Sequence, residues 1–134
     1  MNNLIEQLIK IYFNEEWWHK EKLNLQESWD YFRVLLAKDK IVVEVKNGKV
    51  IAYAEYWLIN KDQLKKALKQ EPFNILTENI SDGNICHINS LWIDDNFRGN
   101  GVLKKLKSQL EEKDFDYYSG IEQKYNERKV TRRR

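Results

Sequence analysis

Apolar residues recur along the first part of the chain at three- and four-residue spacing. Leu4, Ile5, Leu8, Ile11 and Tyr12 share one face of a helix over residues 3–16. Asn24 then stands before a second such stretch, in which Trp29, Phe32, Arg33 and Leu36 come together on one surface. Its side chain suits an N-cap, so a second helix is predicted from Leu25 to Lys38. The period changes at Ile41. Ile41-Val42-Val43-Glu44-Val45 is rich in β-branched residues and leads to Asn47-Gly48, where both turn positions favour positive φ, so a hairpin follows. Its second arm, Lys49–Ile59, alternates, placing Ile51, Tyr53, Glu55 and Trp57 on one face and Val50, Ala52, Ala54 and Tyr56 on the other.

Residues 61–70 read as a short charged helix that ends before Pro72, and 71–84 as a loop closing on Ser81-Asp82-Gly83-Asn84. Together, 61–84 form an insertion between strands. A third strand is expected from Ile85 to Ile93, then a turn rich in Asp, Asn and Gly, then a helix from Val102 to Lys113 with Leu103, Leu106 and Leu110 on one side. A last strand covers Phe115–Ser119 or somewhat beyond, and the remaining tail is either a further strand or a helical turn. No repeat, low-complexity stretch or Gly/Ser linker divides the chain, so a single α/β domain over residues 1–134 is expected, in the order α-α-β-β-[short helix insertion]-β-α-β.

Composition narrows the class. With 42% hydrophobic and 33% charged residues and a single proline, the chain can fill a core and is unlike a disordered or collagenous sequence. Its apolar runs fall far short of the roughly 20 residues that cross a bilayer. Met1-Asn2-Asn3 leads into an amphipathic pattern instead of a signal peptide, so a cytoplasmic protein is expected. Cys86 is the one cysteine, and with only His19 and His87 beside it there is no CxxC or HExxH spacing, so no internal disulfide and no metal are expected. The net charge of +2 hides an asymmetry, because residues 120–134 hold six Lys or Arg against two Glu. That basic tail, 126–134 above all, reads first as a solvated end. Its alternative is nucleic acid or an acidic partner held through Arg132-Arg133-Arg134, which predicts binding that weakens steeply with salt.

The chemistry is concentrated in Leu91-Trp92-Ile93-Asp94-Asp95-Asn96-Phe97-Arg98-Gly99-Asn100-Gly101-Val102-Leu103. Two glycines let backbone approach a ligand, the first N–H groups of the following helix are unsatisfied, and Arg98 adds positive charge, a combination suited to pyrophosphate. No Gly-Lys-Ser/Thr follows, as a P-loop requires, and no third glycine completes a dinucleotide fingerprint. On these residues the sequence resembles the Gcn5-related N-acetyltransferases (GNAT), whose acetyl-CoA signature is a Q/R-x-x-G-x-G/A turn after a strand ending in an L-x-V-like pattern. Leu91-Trp92-Ile93 stands for the strand and Arg98 to Leu103 for the turn, with Leu103 where the family has Gly or Ala.

The resemblance implies a GNAT-like mixed, mostly antiparallel sheet flanked by helices, and acetyl transfer from acetyl-CoA to an amine. It implies a pantetheine arm along the backbone of Trp92 and Ile93, and a pyrophosphate held by Arg98, Gly99, Asn100, Gly101, Val102 and Leu103. In several relatives a general base lies on the strand four residues before the Leu of the L-x-V pattern, which here is His87. An imidazole suits proton acceptance near neutral pH. Glu55, on the neighbouring strand between Tyr53 and Trp57, is the second candidate base; the competing reading makes it a solvent-facing residue in an apolar row. Cys86 and His87 are successive strand residues on opposite faces, so no thiolate–imidazole pair is expected. Tyr117, Tyr118 and Tyr125 are the phenols available as a general acid, and none is assigned. Trp17, Trp18 and Trp29, on or between the first two helices, read as core before acceptor pocket.

The family's usual first strand has no counterpart before Leu4, and 33 residues follow Gly101, so a short version of the fold is expected. Its incomplete sheet leaves edges that a second copy of the chain could pair with, giving a homodimer. The acceptor amine, whether small molecule, peptide or protein lysine, is left open. The reading from another class is a non-catalytic GNAT-fold binding module, in which Leu103 marks a decayed cofactor site.

Overall fold

A computed structural model describes residues 2–14, 24–68, 83–122 and 127–132. The elements are α1 (Asn2–Asn14), α2 (Leu25–Ala37), β1 (Ile41–Lys46), β2 (Lys49–Ile59), α3 (Lys61–Leu68), β3 (Ile85–Ile93), α4 (Val102–Leu110), β4 (Tyr117–Glu122) and β5 (Glu127–Arg132), with a 3-10 turn at Asp95–Phe97. The tail thus contributes a strand. Trp17, Trp18, Tyr125 and the greater part of the 61–84 insertion lie outside the described residues. Among the described residues, no helix is long and apolar enough to cross a membrane.

The start of α2 follows directly from its sequence. Asn24 Oδ1 accepts the Glu27 N–H at 2.8 Å and Glu27 Oε1 accepts the Asn24 N–H at 3.1 Å, a reciprocal cap that satisfies two backbone donors. The buried face of α2 is Ser28, Tyr31, Phe32 and Leu35. Arg33, expected beside Phe32 and Leu36, is exposed and pairs with Asp30 at 2.8 Å. The buried stripe is shifted because Tyr31, an amphipathic residue the spacing left out, finds a hydrogen-bond partner inside.

The sheet order is β1-β2-β3-β4-β5, and every pair is antiparallel except β3 with β4. Two bulges change what faces what. In β2, Ala52 lies opposite Glu44 while Val50 lies opposite Val45, leaving Ile51 as an extra residue. Val50 therefore packs with Tyr53 and Trp57, and Ile51 with Ala52, Ala54 and Tyr56. This exchanges Val50 and Ile51 relative to strict alternation, since a period of two carries no mark for one inserted residue. In β3, Ser90 lies opposite Glu55 and Ile88 opposite Tyr56, so Asn89 is the extra residue.

Each face of the sheet is covered. α1 and α2 supply Ile5, Leu8, Ile9, Tyr31, Phe32 and Leu35 to one side, where Leu64 of α3 also packs. Gln7 of α1 fixes the hairpin there, donating to the Gly48 carbonyl at 3.0 Å and accepting the Val50 N–H at 2.7 Å. On the other side α4 buries Val102, Leu106 and Leu110. Leu103, expected in that apolar row, is 56% exposed. The i, i+4, i+8 row beginning at Val102 is the one that meets the sheet.

Candidate functional site

The strands β3 and β4 run in parallel and stay together only briefly. They pair over Ile85–His87 with Tyr117–Ser119, at the beginning of β3, although β3 continues to Ile93. From Ile88 to Ile93 the edge of β3 that faces β4 carries no strand partner among the described residues. A sheet edge of this kind presents backbone N–H and C=O groups to whatever extended chain enters the gap. Trp92 and Ile93 lie in this stretch. Trp92 stacks on Tyr53, with centroids 6.2 Å apart, on the side of α1 and α2.

The glycine turn closes the same end of β3. Asp94 caps the 3-10 turn, its Oδ1 accepting the Asn96 N–H at 2.9 Å, and Lys49 Nζ stands 3.7 Å from Oδ2. Lys46 Nζ lies over the Phe97 ring, 5.3 Å from its centroid. Gly99 and Gly101 have φ of +81° and +79°, a left-handed conformation that side chains disfavour. A Cβ at either would meet nothing within 4 Å, so the turn borders open space. Gly101 is the N-cap of α4 and offers no side-chain cap, leaving the first backbone N–H groups of Val102, Leu103 and Lys104 without a capping side chain. Arg98 is exposed and its Nε lies 3.1 Å from Asp95. Arg98, Gly99, Asn100 and Gly101 are exposed together, Val102 is buried under α4, and the Leu103 side chain extends into solvent.

Glu55 and His87, the two candidate bases, both lie on the α1/α2 face behind the point where the strands part. Glu55 is 3% exposed, so it is no solvent-facing residue. Its carboxylate is met from three elements. The Tyr31 hydroxyl of α2 donates to Oε1, as do Trp57 Nε1 at 3.2 Å and Asn89 Nδ2 at 3.0 Å, while Ser90 Oγ donates to Oε2 at 3.1 Å. The β3 bulge is what turns two consecutive residues, Asn89 and Ser90, toward one carboxylate. Burial holds the Glu55 carboxyl above its ordinary range, outweighing the four donors, which act in the other direction. Burial and the adjacent Glu55 charge together hold the Tyr31 phenol well above its own.

His87 is fully buried opposite Trp57, and its Nδ1 lies 3.3 Å from Ser119 Oγ of β4. It therefore sits inside the paired part of β3 and β4. Cys86, also fully buried, packs on the other face with α4. Of the phenols, Tyr118 donates to Glu111 Oε1 at 3.2 Å and Tyr117 is exposed. Tyr31, Trp57, Asn89 and Ser90 were not singled out in the sequence. The polar pair Asn89-Ser90 inside the apolar strand ICHINSLWI was the available signal, since half-buried polar residues in a central strand need a partner.

Together these features define a class: an α/β protein whose sheet parts between two parallel strands, with a glycine turn and an uncapped helix at the mouth. The family model described as "Acetyltransferase (GNAT) family" matches residues 2–130, and the chain belongs to that family. Its fold is similar to that of the loading GNATL domain of CurA from Lyngbya majuscula, with a TM-score of 0.60 at 10% identity over 87% of this chain and 59% of that one. It is also similar to an N-acetyltransferase from Staphylococcus aureus Mu50, with a TM-score of 0.53 at 14% identity over 89% of this chain and 65% of that one. The chain thus spans less than two thirds of the length of either. No curated protein matches it in sequence.

Proposed function

We propose that the chain is an acetyl-CoA-dependent N-acetyltransferase acting on an amine. The observation that carries the reading is the opening between β3 and β4 beyond His87 and Ser119, with the Gly99–Gly101 turn at its mouth. The residues present fit acetyl-CoA: the open space at both glycines admits a bulky anion, and the N–H groups of Val102 to Lys104 with Arg98 complement its charge. The backbone of Trp92 and Ile93 would hold the pantetheine arm as an added strand. Leu103, the residue by which this chain departs from the family signature, extends into solvent at the same turn.

When bound, acetyl-CoA supplies an activated acyl group and a good leaving group. The chain has to exclude water, orient the amine and take a proton from it. Glu55 is the group placed to receive that proton, because burial raises its basicity and the β3 bulge fixes its orientation beside the open edge. His87, tied to Ser119 across the last paired position, pins the point where the strands part.

Calorimetric titration of acetyl-CoA into the wild type, beside an Arg98→Ala, Gly101→Trp double variant, tests the cofactor site. The expected result is saturable heat for the wild type and none for the folded variant. Absence of heat and of any thermal shift at millimolar acetyl-CoA would overturn the proposal in favour of a non-catalytic binding module.

A further inference from the structure

The four groups on Glu55 differ in what they can do with a proton. An indole and an amide N–H donate but cannot accept, so Trp57 and Asn89 hold the carboxylate without being able to pass a proton to it. The two hydroxyls can do both. Tyr31 is 7% exposed and belongs to the buried face of α2, its hydroxyl 3.5 Å from Asn89 Nδ2. Ser90 is half-buried, lies within the stretch of β3 that has left β4, and is the donor to Oε2, the oxygen that the other three donors leave alone.

From this we infer that Ser90 is a catalytic residue, its hydroxyl carrying the proton from the acceptor ammonium to Glu55. The inference rests on the transferase reading. In the step, Ser90 Oγ bonds to a proton of the ammonium, whose N–H electron pair stays on nitrogen. The original Oγ–H bond breaks and that proton bonds to Glu55 Oε2. Serine ends neutral, Glu55 ends as the carboxylic acid, and the amine ends with a free lone pair. The reverse transfer to solvent, after the product leaves, restores the carboxylate. The titratable groups around Glu55 are Tyr31 of α2, behind it Tyr53 of β2, and on β3 His87, which is turned to Ser119.

Ser90→Ala and Asn89→Ala each remove one donor from the same carboxylate, but only the first removes a relay. With acetyl-CoA as donor and spermidine, tyramine and a peptide with N-terminal alanine as acceptor probes, thiol release gives kcat and KM. The 13C resonance of the Glu55 carboxyl, followed against pH, reports the hydrogen bonds without turnover. Both variants are expected to raise the Glu55 midpoint and to keep wild-type acetyl-CoA binding. Ser90→Ala is expected to lower kcat by about a hundredfold, the lower range for general acid–base catalysis, and Asn89→Ala by less than about tenfold, as for one hydrogen bond. Ser90→Thr, which keeps the hydroxyl, should recover most of the loss.

Equal losses in the two alanine variants, or a Glu55 midpoint unmoved by Ser90→Ala, would overturn the relay and leave the transferase reading standing. A wild type that fails to bind acetyl-CoA, or to acetylate any of the three probes, would overturn that reading and the relay with it.

Discussion

Replacing Tyr31 with Phe removes from Glu55 its donor on α2 and leaves the ring where it packs, edge-on to Phe32 with centroids 5.6 Å apart. A hydrogen bond to a charged group contributes about 1.5–3 kcal/mol, and one between neutral groups about 0.5–1.5. The cost of Tyr31→Phe should therefore depend on whether Glu55 is ionised. Because burial raises the folded carboxyl, the native state binds its proton more tightly than the unfolded chain does. Stability from this group is greatest below its unfolded pKa of about 4.3 and falls as pH rises toward the folded value. Tyr31→Phe removes a stabiliser of the charged form, so it raises that folded value further and deepens the fall.

The expected cost is about 2 kcal/mol at a pH above the folded value, where Glu55 is ionised, and about 1 kcal/mol near pH 4. In a Glu55→Gln background, where nothing at this position ionises, the pH-dependent fall disappears and Tyr31→Phe costs about 1 kcal/mol throughout. Urea unfolding of the wild type, both single variants and the double variant at the two pH values completes the cycle. A Tyr31→Phe cost that is equal at both pH values, or is the same with Glu55→Gln as without it, would refute the assignment of a buried ionisable carboxylate held by Tyr31.

Four further outcomes are expected. Asn24→Ala removes the side-chain half of the reciprocal cap on α2, the acceptor of the Glu27 N–H, and should cost about 1 kcal/mol, read as a lower thermal midpoint. Leu106→Ala, at a position 1% exposed, should cost about 2–5 kcal/mol by cavity formation. Leu103→Ala, one turn earlier and exposed, should stay within about 0.5 kcal/mol by urea unfolding. The Cys86 thiol, fully buried against the α4 face, should resist an aromatic disulfide reagent in the native protein and react at once in denaturant; prompt native reaction would show that this face opens.

Local chemistry is written in the sequence wherever neighbours along the chain decide the outcome. The Asn24 cap, the Asn47-Gly48 hairpin, the strand from Ile85 to Ile93 and the turn from Arg98 to Gly101 all stand where spacing and residue type place them. Each depends on backbone preferences or hydrogen bonds spanning a few residues. The family and the mixed sheet followed from the order of those elements and from the glycine turn.

Tertiary structure decided the rest. Which residues face each other across β1, β2 and β3 depends on bulges at Ile51 and Asn89, and a bulge is a property of two paired strands, invisible in either alone. For that reason Ile51 changed faces, and Asn89 and Ser90 came to bear together on Glu55. The burial of that carboxylate needed α2, 24 residues earlier, to bring Tyr31 over it. His87 was legible as a strand residue, but its place within the last paired step of β3 and β4 came from a parallel pairing that only the crossover through α4 creates. Sequence periodicity fixes what a segment is; the partner it meets, and hence the chemistry of its polar side chains, is settled by contacts distant in the chain.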